Sequence, residues 1–313
     1  MKKTLLALIM AGLTLGPTST FAASTATADG LDLWVTGGRI DSEVNFQVNI
    51  PQSFISTLNF EMDGAYLGLG GRYQFLPTLF PQISLSFDWK SSRHFDGTVS
   101  DTDYLTFDPN NIDPSAVWIH SDSDVNGNWD QLDINLGYEI LNLKDGKISA
   151  EFLGGYQRNH YDFSIHNTVT DIVDFVSTYF ESFGEVATYR ANMKGPYLGL
   201  AGKAWVTSKF SLNASVKYLI KPEAEARGVW QLRDFFFTQE GEGHGYEASV
   251  GATLVPKENW YLSLQFFTNN IEIDDGTDDV YVLSGTQRFL GSTQLDYIEF
   301  DSYSTEARVG FLF

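Results

Sequence analysis

Strict alternation of apolar and polar residues constrains the fold of this chain more than any other feature of its sequence. In the stretch PQISLSFDWK, apolar and polar residues alternate from Ile83 to Lys90. Successive side chains of a β-strand point to opposite faces, so this pattern predicts a strand with one apolar and one polar face. The stretch DQLDINLGYEIL, from Asp130 to Leu141, repeats the alternation. One face of each strand suits lipid and the other suits water.

The same alternation predicts further strands at 31–48, 55–75, 147–164, 188–207, 209–225, 245–255, 259–273 and 299–313, which makes ten in all. Short turns such as LNLKDGK alternate with long polar segments near 105–128, 165–187, 226–244 and 274–298. An even number of strands with short turns at one end and long loops at the other is typical of bacterial outer-membrane barrels. We therefore expect an all-β fold, a ten-stranded antiparallel transmembrane β-barrel with long extracellular loops.

The N-terminal stretch MKKTLLALIMAGLTLGPTSTFA places two lysines before an apolar run and ends in small residues. This order predicts a secretory signal peptide over residues 1–22, with cleavage after Ala22 or, alternatively, after Ala28. No later stretch approaches the ~20 apolar residues that a membrane helix needs. We expect residues 23–313 to form a single integral barrel domain in a Gram-negative outer membrane.

Charge and cysteine content narrow the possible partners. The chain carries 40 acidic and 20 basic residues, which excludes nucleic acid because its phosphates would be repelled. It contains no cysteine, so its stability cannot come from disulfide bonds. Such a barrel needs no cofactor, and we expect a monomer.

Five short motifs resemble the omptin family of outer-membrane endopeptidases. They are STLNFEMDGA, FPQIS, GYQRNHYDFS, KGPYLGLAG and VKYL, which begin at Ser56, Phe80, Gly155, Lys194 and Val216. Their order and approximate spacing are similar to those of the family from Leu31 to Phe313. The resemblance implies a narrow barrel with a cleft at its outer rim, where an Asp-Asp pair and an Asp-His pair activate water against a peptide bond.

The first pair matches the family pattern D-x-D-W. Here Asp101 and Asp103 flank Thr102, and Tyr104 stands in place of the tryptophan. Residues two apart on a strand point to the same side, so both carboxylates could face one water molecule or one peptide. The resemblance implies that Asp101 and Asp103 are catalytic.

The second pair has no match. The family's D-x-H positions correspond to Gly228 and Trp230, neither of which can accept or relay a proton. Neutral imidazole is the natural general base near neutral pH, and His120 and His244 are the candidates to replace the missing one. The alternative is that both are ordinary loop histidines, so the sequence leaves open whether the chain is an enzyme.

Two binding sites are also implied by the resemblance. Glu43 lies near the first-strand acid with which omptins hold a basic side chain of an extracellular peptide. Tyr156, Arg158 and His160 correspond to an outward cluster that holds lipopolysaccharide in the family, and Lys194 lies two residues beyond Asn192, the position of the family's partner arginine. Plain anchoring of the barrel at the membrane surface is the alternative for this cluster.

A calcium site is a separate prediction from spacing. In DSDVNGNWDQLD, oxygen-bearing side chains recur at the ligand positions of a calcium-binding loop, with Gly127 at its turn. The predicted ligands are Asp122, Asp124, Asn126, Asn128 and Asp130. The alternative is a solvated hairpin tip.

Three functions follow from these patterns. The chain is a divergent omptin-like endopeptidase with reduced or altered activity, a non-enzymatic barrel that binds lipopolysaccharide or another external ligand, or a porin. The porin hypothesis depends on the acidic composition and the polar inward faces, although inward charges such as Asp88, Asp133, Lys217, Glu306 and Arg308 could pair and plug the lumen.

Overall fold

The computed structural model describes residues 30–50, 54–75, 82–105, 117–144, 146–172, 178–231, 235–282 and 288–313. The predicted signal peptide, residues 1–22, lies outside these ranges. The described residues form ten strands: β1 (Leu31–Ile50), β2 (Phe54–Phe75), β3 (Ile83–Tyr104), β4 (Val117–Leu143), β5 (Ile148–Ile172), β6 (Thr178–Trp205), β7 (Phe210–Trp230), β8 (Phe235–Lys257), β9 (Trp260–Val282) and β10 (Arg288–Leu312). None of the described residues belongs to a helix long and apolar enough to span a membrane.

The strands close into one barrel. Each strand pairs antiparallel with its neighbours in the chain, and β1 pairs with β10, so the sheet has no free edge. Closure satisfies every strand's backbone hydrogen bonds within the sheet, which a bilayer demands of any structure that crosses it. The predicted all-β barrel fold is confirmed.

The predicted bounds of the long loops, 105–128, 165–187, 226–244 and 274–298, are wrong. The connections at that end of the barrel are residues 51–53, 105–116, 173–177, 231–234 and 283–287, and most residues assigned to loops belong to strands instead. The strands contain up to 28 residues, far more than the ~9–11 that cross a bilayer. The barrel therefore extends well beyond the membrane.

The half of the barrel where β2 connects to β3, β4 to β5, β6 to β7 and β8 to β9 has an apolar outer surface, and we call it the membrane half. Each strand contributes exposed apolar side chains to this surface, among them Val35, Leu69, Leu85, Leu136, Phe152, Leu200, Val216, Val250, Leu264 and Val309. Inward positions carry polar and charged side chains. This is the polarity of a barrel surrounded by lipid.

Polarity is reversed in the other half, which we call the outer half. The outward side chains become polar beyond Trp89 on β3, Tyr156 on β5 and Ile220 on β7. The inward side chains become apolar and form an aromatic core of Phe46, Phe60, Phe95, Tyr161, Phe163, Tyr189, Phe237 and Phe300. The outer half is therefore filled in the manner of a water-soluble barrel.

Ring contacts hold the aromatic core together across the lumen. The ring centroids of Phe46 and Tyr189 lie 4.9 Å apart, and those of Tyr161 and Phe300 lie 5.5 Å apart. These pairs join β1 to β6 and β5 to β10, strands that are not neighbours in the sheet. Such contacts add to the free energy gained from burying each ring.

β-Bulges mark the border between the halves. The register shifts between Gly64 and Leu67 on β2, and β7 shifts between Ile220 and Glu223. Within the second bulge, Lys221 adopts a φ of 46°, which side chains other than glycine rarely adopt. Bulges bend a strand and redirect its side chains, and here they accompany the change of polarity.

Inward charges of the membrane half pair across the lumen, as the sequence suggested. In the first luminal network, Lys90 Nζ lies 2.8 Å from Glu306 Oε2, and Arg308 bonds both Glu306 and Asp88. In the second, Lys217 Nζ lies 2.6 Å from Asp133 Oδ2 and 2.8 Å from Glu247 Oε1. Buried charges are tolerated when they are paired in this way.

Candidate functional site

Asp101 and Asp103 lie on the inward face at the outer end of β3. Both are buried, with 7% and 3% of their surfaces exposed. Ser56 of β2 donates a hydrogen bond from Oγ to Asp101 Oδ1 at 3.3 Å, and Ser121 of β4 lies directly opposite Asp101. The two carboxylates share one face, as their spacing predicts.

His120 lies on the opposite face of the sheet from the two aspartates. It pairs across the strands with Thr102, whose side chain points away from those of Asp101 and Asp103. His120 Nδ1 lies 2.8 Å from Thr102 Oγ1, and its Nε2 lies 3.3 Å from Asp122 Oδ2. The imidazole predicted as a replacement base is therefore on the outer surface.

The other histidines are also on the outer surface. His244 lies beside Glu272 and Asp274, at 3.8 and 4.0 Å. His94 lines a surface pocket, and His160 and His166 face outward on β5 opposite Asp130 and Asp124. None of the five histidines shares the inward face with the aspartates.

The positions corresponding to the family's second pair lie at the outer end of β7. Gly228 points inward, and a Cβ added there would lie 2.1 Å from Cζ of Phe237. The ring of Phe237 in turn contacts Tyr189, with centroids 6.0 Å apart. The aromatic core thus occupies the space that a side chain at residue 228 would need.

Glu43 lies on the outward face of β1 and not in a cleft with the aspartates. Its Oε1 accepts hydrogen bonds from the side-chain amides of Asn45 and Asn59, at 3.1 and 3.2 Å. Glu61 and Asp301 lie directly opposite it on the adjoining strands. The structure does not bring Glu43 to the face where a peptide could meet Asp101.

The residues predicted to bind calcium do not converge. Asp122, Asp124, Asn126, Asn128 and Asp130 occupy every second position of the extended strand β4. The first and last are therefore roughly 26 Å apart along the strand, whereas a calcium loop must turn its ligands onto one ion. Within the described part of the chain, no group of three or more acidic or histidine side chains is arranged to hold a metal ion.

The cluster predicted to bind lipopolysaccharide is brought together. Tyr156, Arg158, His160 and Lys194 all face outward on β5 and β6 just beyond the apolar surface, and we call them the border patch. Arg158 lies directly opposite Lys194, and His160 lies opposite Asn192. Arg158 Nε donates a hydrogen bond to Asn192 Oδ1 at 2.6 Å.

Acidic neighbours balance part of the charge of the border patch. Lys194 Nζ lies 2.6 Å from Glu225 Oε1 and 3.8 Å from Glu223 Oε2, and the hydrogen bond with Glu225 raises the pKa of Lys194. Burial and the nearby Arg158 guanidinium lower the pKa of His160, which favours its neutral form. Arg158, bonded to an amide, is the cation of the patch best placed to meet an anion.

A second polar group on the inward face was not predicted from the sequence. Burial raises the pKa of Asp278, near the outer end of β9, to about 6, although hydrogen bonds with Gln239 and Thr293 oppose the shift. Tyr189 donates a hydrogen bond from its hydroxyl to Gln239 Oε1 at 2.8 Å. Asp278 lies among several other acidic residues in the sequence. Only the alternation of inward and outward side chains along β9 could have identified it as inward.

Comparison with protein families identifies the group to which the chain belongs. The family model described as Pom, Protochlamydia outer membrane protein, matches residues 52–313. The chain belongs to the Pom family. No curated protein matches this Pom-family chain in sequence.

Similarity to a solved structure confirms the fold of this Pom-family member. The outer membrane protease OmpT of Escherichia coli is similar with a TM-score of 0.76 and 18% identity, covering 95% of this chain and 100% of OmpT. OprG of Pseudomonas aeruginosa is 10% identical with a TM-score of 0.35, covering 91% and 97%. At 18% identity, the likeness to OmpT extends to the fold alone. The family and the fold establish an outer-membrane β-barrel.

Proposed function

We propose that this Pom-family barrel binds phosphate groups of lipopolysaccharide through the border patch and does not hydrolyse peptides. The observation that carries the proposal is the position of Arg158 beside Lys194, on the outward face just beyond the lipid-facing surface. Lipid phosphates lie at this level of a membrane, where basic side chains attract them. Arginine suits phosphate because its planar guanidinium donates two parallel hydrogen bonds.

The histidine positions support the non-proteolytic part of the proposal. Water activation on the inward face is most readily performed by neutral imidazole near neutral pH, and all five histidines lie on the outer surface. At the place of the second pair, the ring of Phe237 fills the space beside Gly228. The inward face therefore presents an aromatic core where a peptide cleft would be required.

Binding of lipopolysaccharide to the refolded barrel, measured by calorimetry in detergent, tests the proposal. Arg158→Ala should weaken binding by about 10- to 150-fold, because a charge-assisted hydrogen bond contributes roughly 1.5–3 kcal/mol. The matched control is Arg39→Ala. Arg39 is an outward arginine on β1, bonded to Asp63 at 2.8 Å, and its loss should leave the affinity unchanged.

Glu225→Gln should act in the opposite direction. It removes the carboxylate that lies 2.6 Å from Lys194 Nζ, so the ammonium becomes available to a phosphate and the affinity should rise. With dephosphorylated lipopolysaccharide, neither Arg158→Ala nor Glu225→Gln should change the affinity. Equal affinities for Arg158→Ala, Arg39→Ala and the wild type would refute the border patch as the binding site.

A divergent endopeptidase remains the second candidate, because Asp101 and Asp103 share the inward face beside Ser56. This hypothesis predicts cleavage of basic extracellular peptides that is abolished in Asp101→Ala. The matched control is Ser100→Ala, since Ser100 points to the other face and bonds Asp122. Equal turnover by Asp101→Ala and Ser100→Ala would exclude the aspartates as catalytic residues.

A further inference from the structure

A small cavity lies inside the barrel where the membrane half meets the outer half. It has a volume of about 20 Å³, and its walls include Lys90, Trp129, Asn159, Glu247 and Asn269. We call it the junction cavity. A cavity of roughly 10–15 Å³ or more can hold one water molecule, provided that polar groups surround it. The junction cavity therefore has the size and the lining for one water molecule.

Two of the lining side chains carry buried polar atoms that need a hydrogen-bond partner. Trp129 is 3% exposed and Asn269 is 9% exposed. Among the described residues, neither Trp129 Nε1 nor Asn269 Oδ1 has a partner with normal hydrogen-bond geometry, although the Tyr161 hydroxyl lies close to Trp129. One atom is a donor and the other an acceptor. Buried polar groups in native proteins are satisfied either by protein or by ordered water.

The charges around the cavity select a neutral occupant. Lys90 belongs to the first luminal network and lies 2.8 Å from Glu306, while Glu247 belongs to the second and lies 2.8 Å from Lys217. The ammonium of Lys90 disfavours a cation in the cavity, and the carboxylate of Glu247 disfavours an anion. Water is small, neutral, and able both to donate and to accept.

We propose that the junction cavity binds one water molecule, which accepts a hydrogen bond from Trp129 Nε1 and donates one to Asn269 Oδ1. Lys90 and Glu247 line the same cavity, so this water lies between the two luminal networks. Through it, Trp129 of β4 and Asn269 of β9 would be linked across the lumen, directly below the aromatic core.

A high-resolution crystal structure of the refolded barrel tests the proposal. The expected result is one water oxygen at about 2.7–3.2 Å from both Trp129 Nε1 and Asn269 Oδ1. Asn269→Leu should lose this water. Asn213→Leu should keep it, because Asn213 also has a buried and unsatisfied Oδ1 but does not line the cavity.

Three crystallographic results would overturn the proposal: a cavity without water, an ion in its place, or an unchanged water in Asn269→Leu. If Asn269→Leu does not fold, NMR of the wild type gives an independent test. The indole proton of Trp129 should show a cross-peak to long-lived water, assigned by its loss in Trp129→Phe. An assigned indole proton without that cross-peak would contradict the water site.

Discussion

Asp278 is a single buried residue that makes the stability of the folded barrel depend on pH. Its pKa of about 6 in the folded protein exceeds the ordinary value of 3.8, so the folded state binds the proton more tightly than the unfolded state. The contribution of Asp278 to stability should therefore increase as pH falls from about 7 to about 4, and it should be lowest where this carboxyl is ionised.

We predict that Asp278→Asn stabilises the barrel at pH 8 by at most about 3 kcal/mol, because the buried charge is removed. The gain should disappear below about pH 3, where the wild-type carboxyl is protonated in both states. Urea unfolding of the refolded barrel across this range measures the effect. The control is Asp274→Asn, at an exposed acid of the same strand, whose effect on stability should not change with pH in this way. A stability gain of Asp278→Asn that is independent of pH would contradict the prediction.

At Gly228 the ring of Phe237 occupies the space that a side chain would need at this omptin-like position. A Cβ there would lie 2.1 Å from Phe237, so Gly228→Ala should destabilise the barrel by about 1–3 kcal/mol through overpacking. In a Phe237→Ala background the same substitution should cost much less, which a double-mutant cycle would measure. Gly202→Ala is the control, since its Cβ would meet its nearest neighbour only at 3.8 Å. Additive effects of Gly228→Ala and Phe237→Ala would show that the ring does not occupy this space.

The alternation of side chains between the two faces of a strand explains which site residues could be placed from the sequence. The same-face position of Asp101 and Asp103 follows directly from their spacing. His120 could not be placed in this way, because its face depends on its register with Thr102, and a shift of one residue would reverse it. The border patch was implied by the family resemblance, and the spacing of two between its three β5 residues explains why they share one face.

At the scale of the strands, the inversion of polarity explains where the sequence-based boundaries failed. β5 was predicted to end at residue 164 and β7 at residue 225, yet they continue to Ile172 and Trp230. Beyond the border, the apolar residues change from outward to inward positions, so the lipid-facing pattern stops although the strand does not. β4 shows the same effect, because its Asp, Asn and Gly residues suit a loop by composition. Ladder hydrogen bonds with β3 and β5 keep it extended.

The aromatic core should make the outer half sensitive to loss of an inward ring. Phe163 is 1% exposed and stacks with Phe60, so Phe163→Ala should reduce the free energy of unfolding by about 3–5 kcal/mol. Phe183, also in the outer half, is 82% exposed. Phe183→Ala should therefore change the free energy of unfolding by no more than about 0.5 kcal/mol. Denaturant unfolding of both variants measures the difference. Similar values for the two would contradict a filled outer half.

At the scale of the whole molecule, two barriers close the lumen. The luminal networks cross the membrane half, and the aromatic core fills the outer half. Ions are not expected to pass an apolar barrier without water to hydrate them. We therefore predict that the wild-type barrel shows no stepwise conductance in planar bilayers, whereas reproducible cation-selective steps would favour the porin hypothesis.

This OmpT-like fold encloses an aromatic core, which fills the space beside Gly228. The most direct test is cleavage of basic peptides by the purified wild-type barrel, refolded with lipopolysaccharide and compared with an active omptin under the same conditions. We expect no cleavage by this protein at any pH between about 5 and 8, where imidazole chemistry operates. Peptide cleavage by the wild type that is lost in Asp101→Ala would contradict this expectation.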